Sequence, residues 1–155
     1  MPINVRPMNK NDLEQLSEVY VAVYKKFDVG EKWSKKAAYW LLRYWLRKQP
    51  DLAFVTEHNG KIVGAFVAGI KPWWDGNHLF DGEIFVHPKY QKKGIGKLLT
   101  KVLFQKAIKK YNVTFWDAHT FKKKFPLRWY KSLGFKEIKE WTMITGNIRK
   151  ALKKL

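Results

Sequence analysis

Apolar residues recur along this chain with two spacings, one typical of helices and one typical of strands. From Leu13 to Val23, and again from Ile95 to Ile108, they return every three or four residues, which predicts amphipathic helices. Short runs rich in β-branched and aromatic residues lie between and after these segments and predict strands. Pro, Gly and Asn separate the runs. The predicted order is strand, helix, helix, three strands, helix, strand, helix and strand.

The same pattern gives approximate boundaries for each element. The first helix has a capping-box-like start at Asn11-x-x-Glu14, and the second follows Ser34 and stops at Pro50. The predicted strands are 3–6, 52–57, 62–70, 79–86, 113–119 and 135–145, and the helices begin near Asn11, Lys35, Gly94 and Phe125.

The order of these elements predicts the sheet. A helix between the strands at 79–86 and 113–119 implies a parallel pair, whereas the turn His58-Asn59-Gly60-Lys61 implies an antiparallel hairpin. We therefore predict a mixed sheet in an α/β (α+β) fold. A length of 155 residues fits one domain, which we place at 1–146 and follow with a basic tail at 147–155, outside the catalytic unit.

The second helix carries aromatic and aliphatic residues almost all round. Trp40, Tyr44 and Trp45 lie among three leucines and two alanines, and Trp33 precedes them. Packing in the core is the simplest interpretation. The alternatives are a wall of an acceptor groove or the surface of a homodimer. A second aromatic feature, Trp73-Trp74, is predicted to lie in a loop at 72–77 and needs cover from the core edge, a partner or a ligand.

The composition indicates a folded, strongly basic protein. Hydrophobic residues make up 46% and aromatic residues 16% of the chain, and the formal net charge is +18. Such a charge favours nucleic acid or another acidic partner. A lysine-coated surface of a heat-adapted protein is the alternative, since only five of the 31 basic residues are arginine.

Other classes of site are disfavoured by what the chain lacks. There is no cysteine, so disulfides and cysteine-based metal sites are excluded. His87 and His119 read as turn and strand-end residues, and we predict no metal site. No apolar run approaches the about 20 residues that a membrane span needs, and the N-terminus lacks the pattern of a secretory signal. We expect a cytoplasmic protein without a membrane partner.

The most informative stretch joins the strand at 79–86 to the helix near Gly94. Pro88 ends the strand, and Gly94 and Gly96 then open the helix without side chains in its first turn. A helix N-terminus with accessible backbone N–H groups favours an anion such as phosphate. An ordinary tight turn is the alternative explanation of the two glycines.

Two motifs resemble those of the GCN5-related N-acetyltransferase (GNAT) family. Gln91-x-x-Gly94-x-Gly96 is similar to the family's acyl-CoA signature, in the same strand-turn-helix context. Trp129-Tyr130-x-x-Leu133-Gly134-Phe135 resembles its Phe-Tyr-x-x-Leu-Gly-Phe segment, with Trp129 in place of the first aromatic residue. The order of predicted elements matches this fold up to about Thr145.

The resemblance implies a fold, a cosubstrate and a reaction. The fold is a mixed, mostly antiparallel sheet flanked by helices, with a bulge that splays a parallel strand pair to receive coenzyme A. The reaction is direct transfer of an acetyl group from acetyl-CoA to an amine of a small molecule, peptide or protein. The residues expected to bind acetyl-CoA are Ile84, Phe85, Val86, Gln91, Lys92, Lys93, Gly94, Ile95, Gly96, Lys97, Lys123 and Tyr130.

The catalytic assignments implied by the resemblance are an acid and a base. Tyr130 is the expected general acid, because a phenol stays protonated at neutral pH and can protonate the departing thiolate. An alkylammonium acceptor must lose a proton, and Glu83, ahead of Asp81, is the expected base on the strand before the turn. Asp117 is a third candidate, with a structural role as its simpler interpretation. The simpler interpretation of Tyr130 is an aromatic residue of the core, and that of Glu83 and Asp81 is an exposed carboxylate on a strand.

Some positions depart from the family pattern. Lys123 occupies a place where many relatives carry asparagine, Pro126 replaces a small alanine, and Ala118 stands near a glutamate of relatives that acetylate protein N-termini. These departures predict an acceptor side that differs from that of those relatives. A non-enzymatic nucleic-acid-binding module and an acyltransferase for longer acyl groups are the alternative functions.

Overall fold

A computed structural model describes residues 3–155, which form two compact units, 3–119 and Thr120–Leu155. The strands are β1 (Ile3–Pro7), β2 (Ala53–His58), β3 (Lys61–Trp73), β4 (Gly76–Val86) and β5 (Phe115–Asp117). The helices are α1 (Leu13–Phe27), α2 (Lys35–Lys48), α3 (Ile95–Tyr111), α4 (Phe125–Ser132) and α5 (Ile148–Leu152). Short 3₁₀ turns cover Lys10–Asp12, Pro50–Leu52 and Pro88–Tyr90.

The first unit is built on a single five-stranded sheet. Its strands lie in the order β1-β2-β3-β4-β5. The first three neighbouring pairs are antiparallel, and β4 and β5 are parallel. The connection between β4 and β5 contains α3, as a parallel pair requires. The predicted mixed, mostly antiparallel α/β sheet is confirmed.

The sheet is covered by helices on both faces. α1 and α2 pack on one face, where Ala65 and Val67 of β3 join their core cluster. α3 packs on the other face, where Phe66 and Ala68 belong to a second cluster. Because β3 is buried on both sides, its sequence is apolar at nearly every position instead of at alternate ones.

The start of α1 differs from the prediction. The capping box is formed by Asn9 and Asp12, and it opens a 3₁₀ turn that leads into α1 at Leu13. The Asp12 carboxylate accepts from the Asn9 backbone N–H at 2.8 Å and forms a salt bridge with Arg6. This ion pair gives Asp12 a fixed position that the spacing Asn11-x-x-Glu14 did not show.

The end of β3 also differs from the prediction. The segment expected as a loop at 72–77 is a tight hairpin, because Trp73 pairs with Gly76 and only Trp74 and Asp75 turn the chain. Gly76 has φ +129, a backbone conformation that side chains disfavour. The Trp74 side chain is 85% exposed at the tip of this hairpin.

The second unit contains α4 and α5. α4 begins at the predicted position with Pro126 in its first turn. The predicted strand at 135–145 is wrong, since these residues form no strand in the described structure. Phe135, Ile138 and Trp141 recur every third position, which does not place them on one face of a strand. Among residues 3–155, no helix combines the length and the apolar character that crossing a bilayer requires.

Candidate active site

The central feature of the first unit is a bulge in β4. Gly69 pairs with Phe80 and Val67 pairs with Glu83, so Asp81 and Gly82 together face one residue of β3. Both have positive φ, +48 and +108. A Cβ on Gly82 would lie 2.0 Å from the carbonyl oxygen of Val67, so only glycine fits there. The bulge expected near these carboxylates is present.

The bulge marks the point where the parallel strands part. The last pair between β4 and β5 is Phe80 with Asp117, immediately before the bulge. The indole N–H of Trp116 donates to the carbonyl of Asp81 at 3.1 Å and fixes β5 there. Beyond this point Ile84, Phe85 and Val86 pair with β3 on one edge. On their opposite edge these residues no longer pair with β5. An extended ligand with amide groups could form hydrogen bonds with this edge as an added strand would.

Glu83 follows the bulge and contacts α1. The Tyr20 hydroxyl donates to Oε2 of Glu83 at 3.0 Å. Burial raises the pKa of Glu83 to about 7, with further increases from Asp81 and Glu31 and a decrease from the Tyr20 hydrogen bond. A carboxyl group with such a pKa exchanges protons near neutral pH, as a general base needs to do.

An aromatic wall surrounds this carboxyl group. The Tyr20 ring stacks on Tyr24 with centroids 4.7 Å apart and meets Trp33 and Phe85 edge-on at 5.1 and 5.0 Å. The Trp33 indole donates to Oε2 of Glu31 at 2.7 Å. The wall thus combines apolar surface with a second carboxylate, and its desolvation explains the raised pKa of Glu83.

Asp81 is directed to a different partner. Its Oδ2 lies 3.2 Å from Nδ1 of His119, and the His119 backbone N–H donates to its Oδ1 at 3.4 Å. The bulge therefore separates the two predicted carboxylates, one contacting α1 and the other contacting the end of the β5 segment. Asp81 and Glu83 were expected to share a face of the strand unless a bulge lay between them. The bulge is present, and the two carboxylates have different partners.

The turn after β4 is fixed by hydrogen bonds from both sides. The His87 N–H donates to the carbonyl of Val63 at 2.7 Å, and its ring nitrogen accepts from the Lys89 N–H at 3.2 Å. The Gln91 amide donates to the carbonyl of Val86 at 2.9 Å. Gln91 therefore closes the turn by binding the last residue of the strand, which gives a physical role to the first position of the motif.

The start of α3 presents backbone rather than side chains. Gly94 is the N-cap with φ +78. Apart from the chain neighbours and the helix's own backbone, no protein atom lies within 4 Å of a Cβ built on Gly94 or Gly96. Gly96 has no positive φ, so its backbone conformation does not require glycine. Its missing side chain instead leaves open space beside the helix start. Lys92, Lys93 and Lys97 are exposed around this opening, whereas Ile95 is buried in the core. Free N–H groups and cations suit a phosphate-bearing ligand.

Comparisons with known proteins agree with this geometry. Residues 14–135 match the acetyltransferase (GNAT) family. The chain belongs to the GNAT family. It is 32% identical over 153 residues to an uncharacterized N-acetyltransferase of Methanocaldococcus jannaschii, a match that covers 93% of this chain and 66% of the relative. The chain thus spans slightly less than two thirds of that relative's length.

Solved GNAT structures share the fold. A possible acetyltransferase from Clostridium difficile 630 superposes with a TM-score of 0.75 at 17% identity, covering 95% of this chain and 98% of that one. An aminoglycoside N-acetyltransferase in complex with CoA gives a TM-score of 0.71 at 20% identity, with coverages of 94% and 95%. These likenesses show the architecture of the sheet and its helices.

Two further predicted site residues of this GNAT protein lie in the second unit. Tyr130 is half-buried on α4, where its ring contacts Trp129 and Phe135 with centroids 5.2 and 6.4 Å away. The Phe135 N–H donates to the Tyr130 carbonyl at 3.2 Å, and Gly134 between them has φ +93. Lys123 is exposed in a basic run before α4. Their roles stay predictions.

The sequence did not single out two side-chain clusters of the first unit. Tyr20 looks like any buried residue of an amphipathic helix, and its partner Glu83 is 63 residues away. His78 is buried between Asp117 and Asp75, with nitrogen–oxygen distances of 2.6 and 2.8 Å. Asp117, the third candidate base, is thus occupied by His78 and by Lys71 at 3.7 Å. Within residues 3–155, no cluster of three or more His, Asp or Glu side chains is arranged to hold a metal ion.

Proposed function

We propose that this GNAT protein transfers an acetyl group from acetyl-CoA to an amine. The observation that carries the proposal is the course of β4, which leaves β5 at the Asp81–Gly82 bulge and leads along an open edge to the glycine-opened start of α3. That path offers backbone groups for an amide-containing chain and then N–H groups for a diphosphate. Both are parts of coenzyme A, and the activity named for the archaeal relative agrees with them.

The residues that would bind acetyl-CoA provide backbone groups, open space and positive charge that suit its parts. The backbone of Ile84, Phe85 and Val86 would pair with the amide-bearing arm, and the first turn of α3 would bind the diphosphate. The open space beside Gly94 and Gly96 allows the phosphate groups to approach the backbone. Lys92, Lys93 and Lys97 add positive charge. When bound, acetyl-CoA supplies an activated thioester.

Glu83 is the proposed general base. With a pKa of about 7 it can take a proton from an alkylammonium acceptor near neutral pH and leave a neutral amine for attack. Tyr20 orients the carboxylate through its hydrogen bond. Asp81 is the weaker candidate, since it is engaged by His119. Tyr130 is the proposed acid that returns a proton to the departing sulfur, as the family resemblance implies.

The acceptor is proposed only as a class, an amine of a small molecule, peptide or protein. The aromatic wall of Tyr20, Tyr24 and Trp33 beside Glu83 is the surface that we assign to it. The domain limits 1–146 and 147–155 and the cytoplasmic location likewise stay predictions.

Calorimetric titration with acetyl-CoA tests the proposal through Gly96→Glu. A side chain here meets no protein atom, so the fold is retained, but a carboxylate would fill the phosphate space and repel the diphosphate. We expect affinity to fall by about 100-fold or more. Gly146→Glu is the matched control, because Gly146 also has no neighbour within 4 Å and no positive φ. Equal affinity in both variants would refute the assigned site.

A further inference from the structure

An exposed stripe of aromatic and basic side chains runs along α2. Lys36, Trp40, Tyr44 and Lys48 are spaced four residues apart and therefore lie on one face of the helix. Trp40 is 53% and Tyr44 52% exposed. We call these four residues the α2 stripe. Core packing, the simplest interpretation of the aromatic residues of this helix, accounts for Trp45 but leaves the two rings of the stripe uncovered.

The exposed apolar surface of α2 consists of rings and not of aliphatic side chains. Leu42 is completely buried, and Leu41 and Leu46 are half-buried against the core. A helix that docks on another helix or on lipid presents a broad apolar face that includes leucines beside any rings, whereas the leucines of α2 face the core. Positions 40 and 44 are about 6 Å apart along the helix axis. Two exposed rings in succession offer stacking surfaces for the bases of a single strand.

Basic side chains lie against both rings of the α2 stripe. The Arg43 guanidinium carbon lies 4.9 Å from the Trp40 ring centroid, and the Lys48 ammonium lies 5.5 Å from that of Tyr44. Lys48 also donates to the Tyr44 hydroxyl at 3.2 Å. A base stacked on either ring would have its phosphate next to a positive charge.

The positive charge of α2 favours a negatively charged polymer as its partner. α2 contains five basic residues and no Asp or Glu, on a chain with formal net charge +18. A second copy of the same surface would bring like charges together, which opposes a dimer through this face. A phosphate backbone would instead release counterions on binding and gain affinity from the same charges.

The surface extends from α2 onto the end of β3. A Cβ on Gly69 would lie 3.4 Å from the Lys48 side chain, so the strand passes directly beside the C-terminal end of the stripe. Two residues further along, the Lys71 ammonium lies 4.1 Å from the ring centroid of Trp73, which is 42% exposed. The same pairing of ring and cation is thus repeated on the neighbouring element.

We propose that the α2 stripe, continued by Lys71 and Trp73, binds single-stranded nucleic acid. The rings stack on bases without selecting a sequence, and Lys36, Arg43 and Lys48 contact phosphates. The surface shares no residue with the proposed acetyl-CoA turn, so the test of nucleic-acid binding does not depend on the transferase proposal.

Fluorescence anisotropy with labelled oligouridylate and oligothymidylate tests this surface. We expect Trp40→Ala/Tyr44→Ala to weaken binding by at least about tenfold, because each lost stack contributes strongly to affinity. We expect the salt slope to fall by about one for Arg43→Gln, which removes one phosphate contact. Lys106→Gln/Lys109→Gln on α3 is the control, and it should change affinity by less than about threefold at about 150 mM salt. An unchanged far-UV circular dichroism spectrum verifies the folding of each variant.

Three results would overturn the proposal. The first is affinity of the Trp40→Ala/Tyr44→Ala variant equal to that of the unaltered protein. The second is binding to vesicles of phosphatidylglycerol and phosphatidylcholine with none to the oligonucleotides, which would indicate a lipid surface. The third is a dimer in sedimentation that dissociates in the double variant, which would assign the stripe to a second copy. Loss of acetyl-CoA binding in Gly96→Glu leaves all three measurements unaffected.

Discussion

Tyr20 and Glu83 meet through a hydrogen bond of 3.0 Å between the hydroxyl of α1 and the carboxyl group that follows the β4 bulge. Burial raises the pKa of Glu83, while this bond lowers it by favouring the charged form. The tyrosine therefore tunes the proposed base as well as orienting it.

Tyr20→Phe is expected to shift the pH dependence of the reaction. Removing the hydroxyl takes away an interaction with the carboxylate, so the pKa of Glu83 rises further. The base is active when deprotonated, so the acid limb of kcat/KM should move from about pH 7 to higher pH. Steady-state kinetics across the pH range measure the shift, and Tyr39→Phe on α2 is the control. An unmoved limb would exclude this contact from the chemistry.

Glu83→Gln is expected to lower activity while it raises stability. We expect kcat to fall by about 10² to 10⁴ with acetyl-CoA affinity retained, whereas Asp81→Asn should cost less than about tenfold. The opposite ranking of the two variants would identify Asp81 as the base.

The same variant is expected to gain stability in alkali. The folded pKa of Glu83 is raised, so its ionisation opposes folding above the unfolded pKa of about 4.5, and the penalty is complete above about pH 7. Glutamine avoids this ionisation and still accepts from Tyr20. We expect a gain of about 1–3 kcal/mol at about pH 8 and a smaller one at about pH 4. Urea denaturation at both pH values measures the difference.

Gly82→Ala should be far more damaging than its size suggests. The added Cβ would lie 2.0 Å from the Val67 carbonyl oxygen, at a residue with φ +108. We expect a loss of about 3 kcal/mol or more. Gly60→Ala is the matched control, because its φ is +71 but no atom lies within 4 Å, and it should cost about 1 kcal/mol. Similar melting temperatures of the two variants would contradict the bulge geometry.

His78 should make the attachment of β5 depend on pH. The pKa of His78 is raised because its ring donates hydrogen bonds to Asp117 and Asp75, against a decrease caused by burial. Lys71 also faces Asp117. A raised pKa of a base gives stability that is complete below the unfolded pKa of about 6.5 and is lost as pH rises through the folded value. His78→Asn should therefore cost most at about pH 6 and less at about pH 9. A cost that is the same at both pH values would exclude the charged imidazole.

Local patterns predicted the parts of the molecule that local physics determines. Helix spacing located α2, α3 and α4, and the two glycines after Gln91 located the start of α3. Pairing between distant residues was not visible in the same way. Arg6 binds Glu57 of β2, 51 residues away. Tyr20 and His78 likewise carry no local mark of Glu83 and Asp117, which lie 63 and 39 residues further along the chain. The strand at 135–145 was predicted from residue types alone, without the alternation that would place them on one face.

The bulge at Asp81–Gly82 also divides β4 into two kinds of backbone. Before the bulge, β4 pairs with β3 on one edge and with β5 on the other. After the bulge, β4 still pairs with β3 but no longer pairs with β5. Deuterium labelling should read this division residue by residue, since amide protons shared with β3 exchange slowly and those on the open edge exchange fast. Coenzyme A seated along that edge would slow the fast ones, so the labelling pattern would report ligand binding without any turnover.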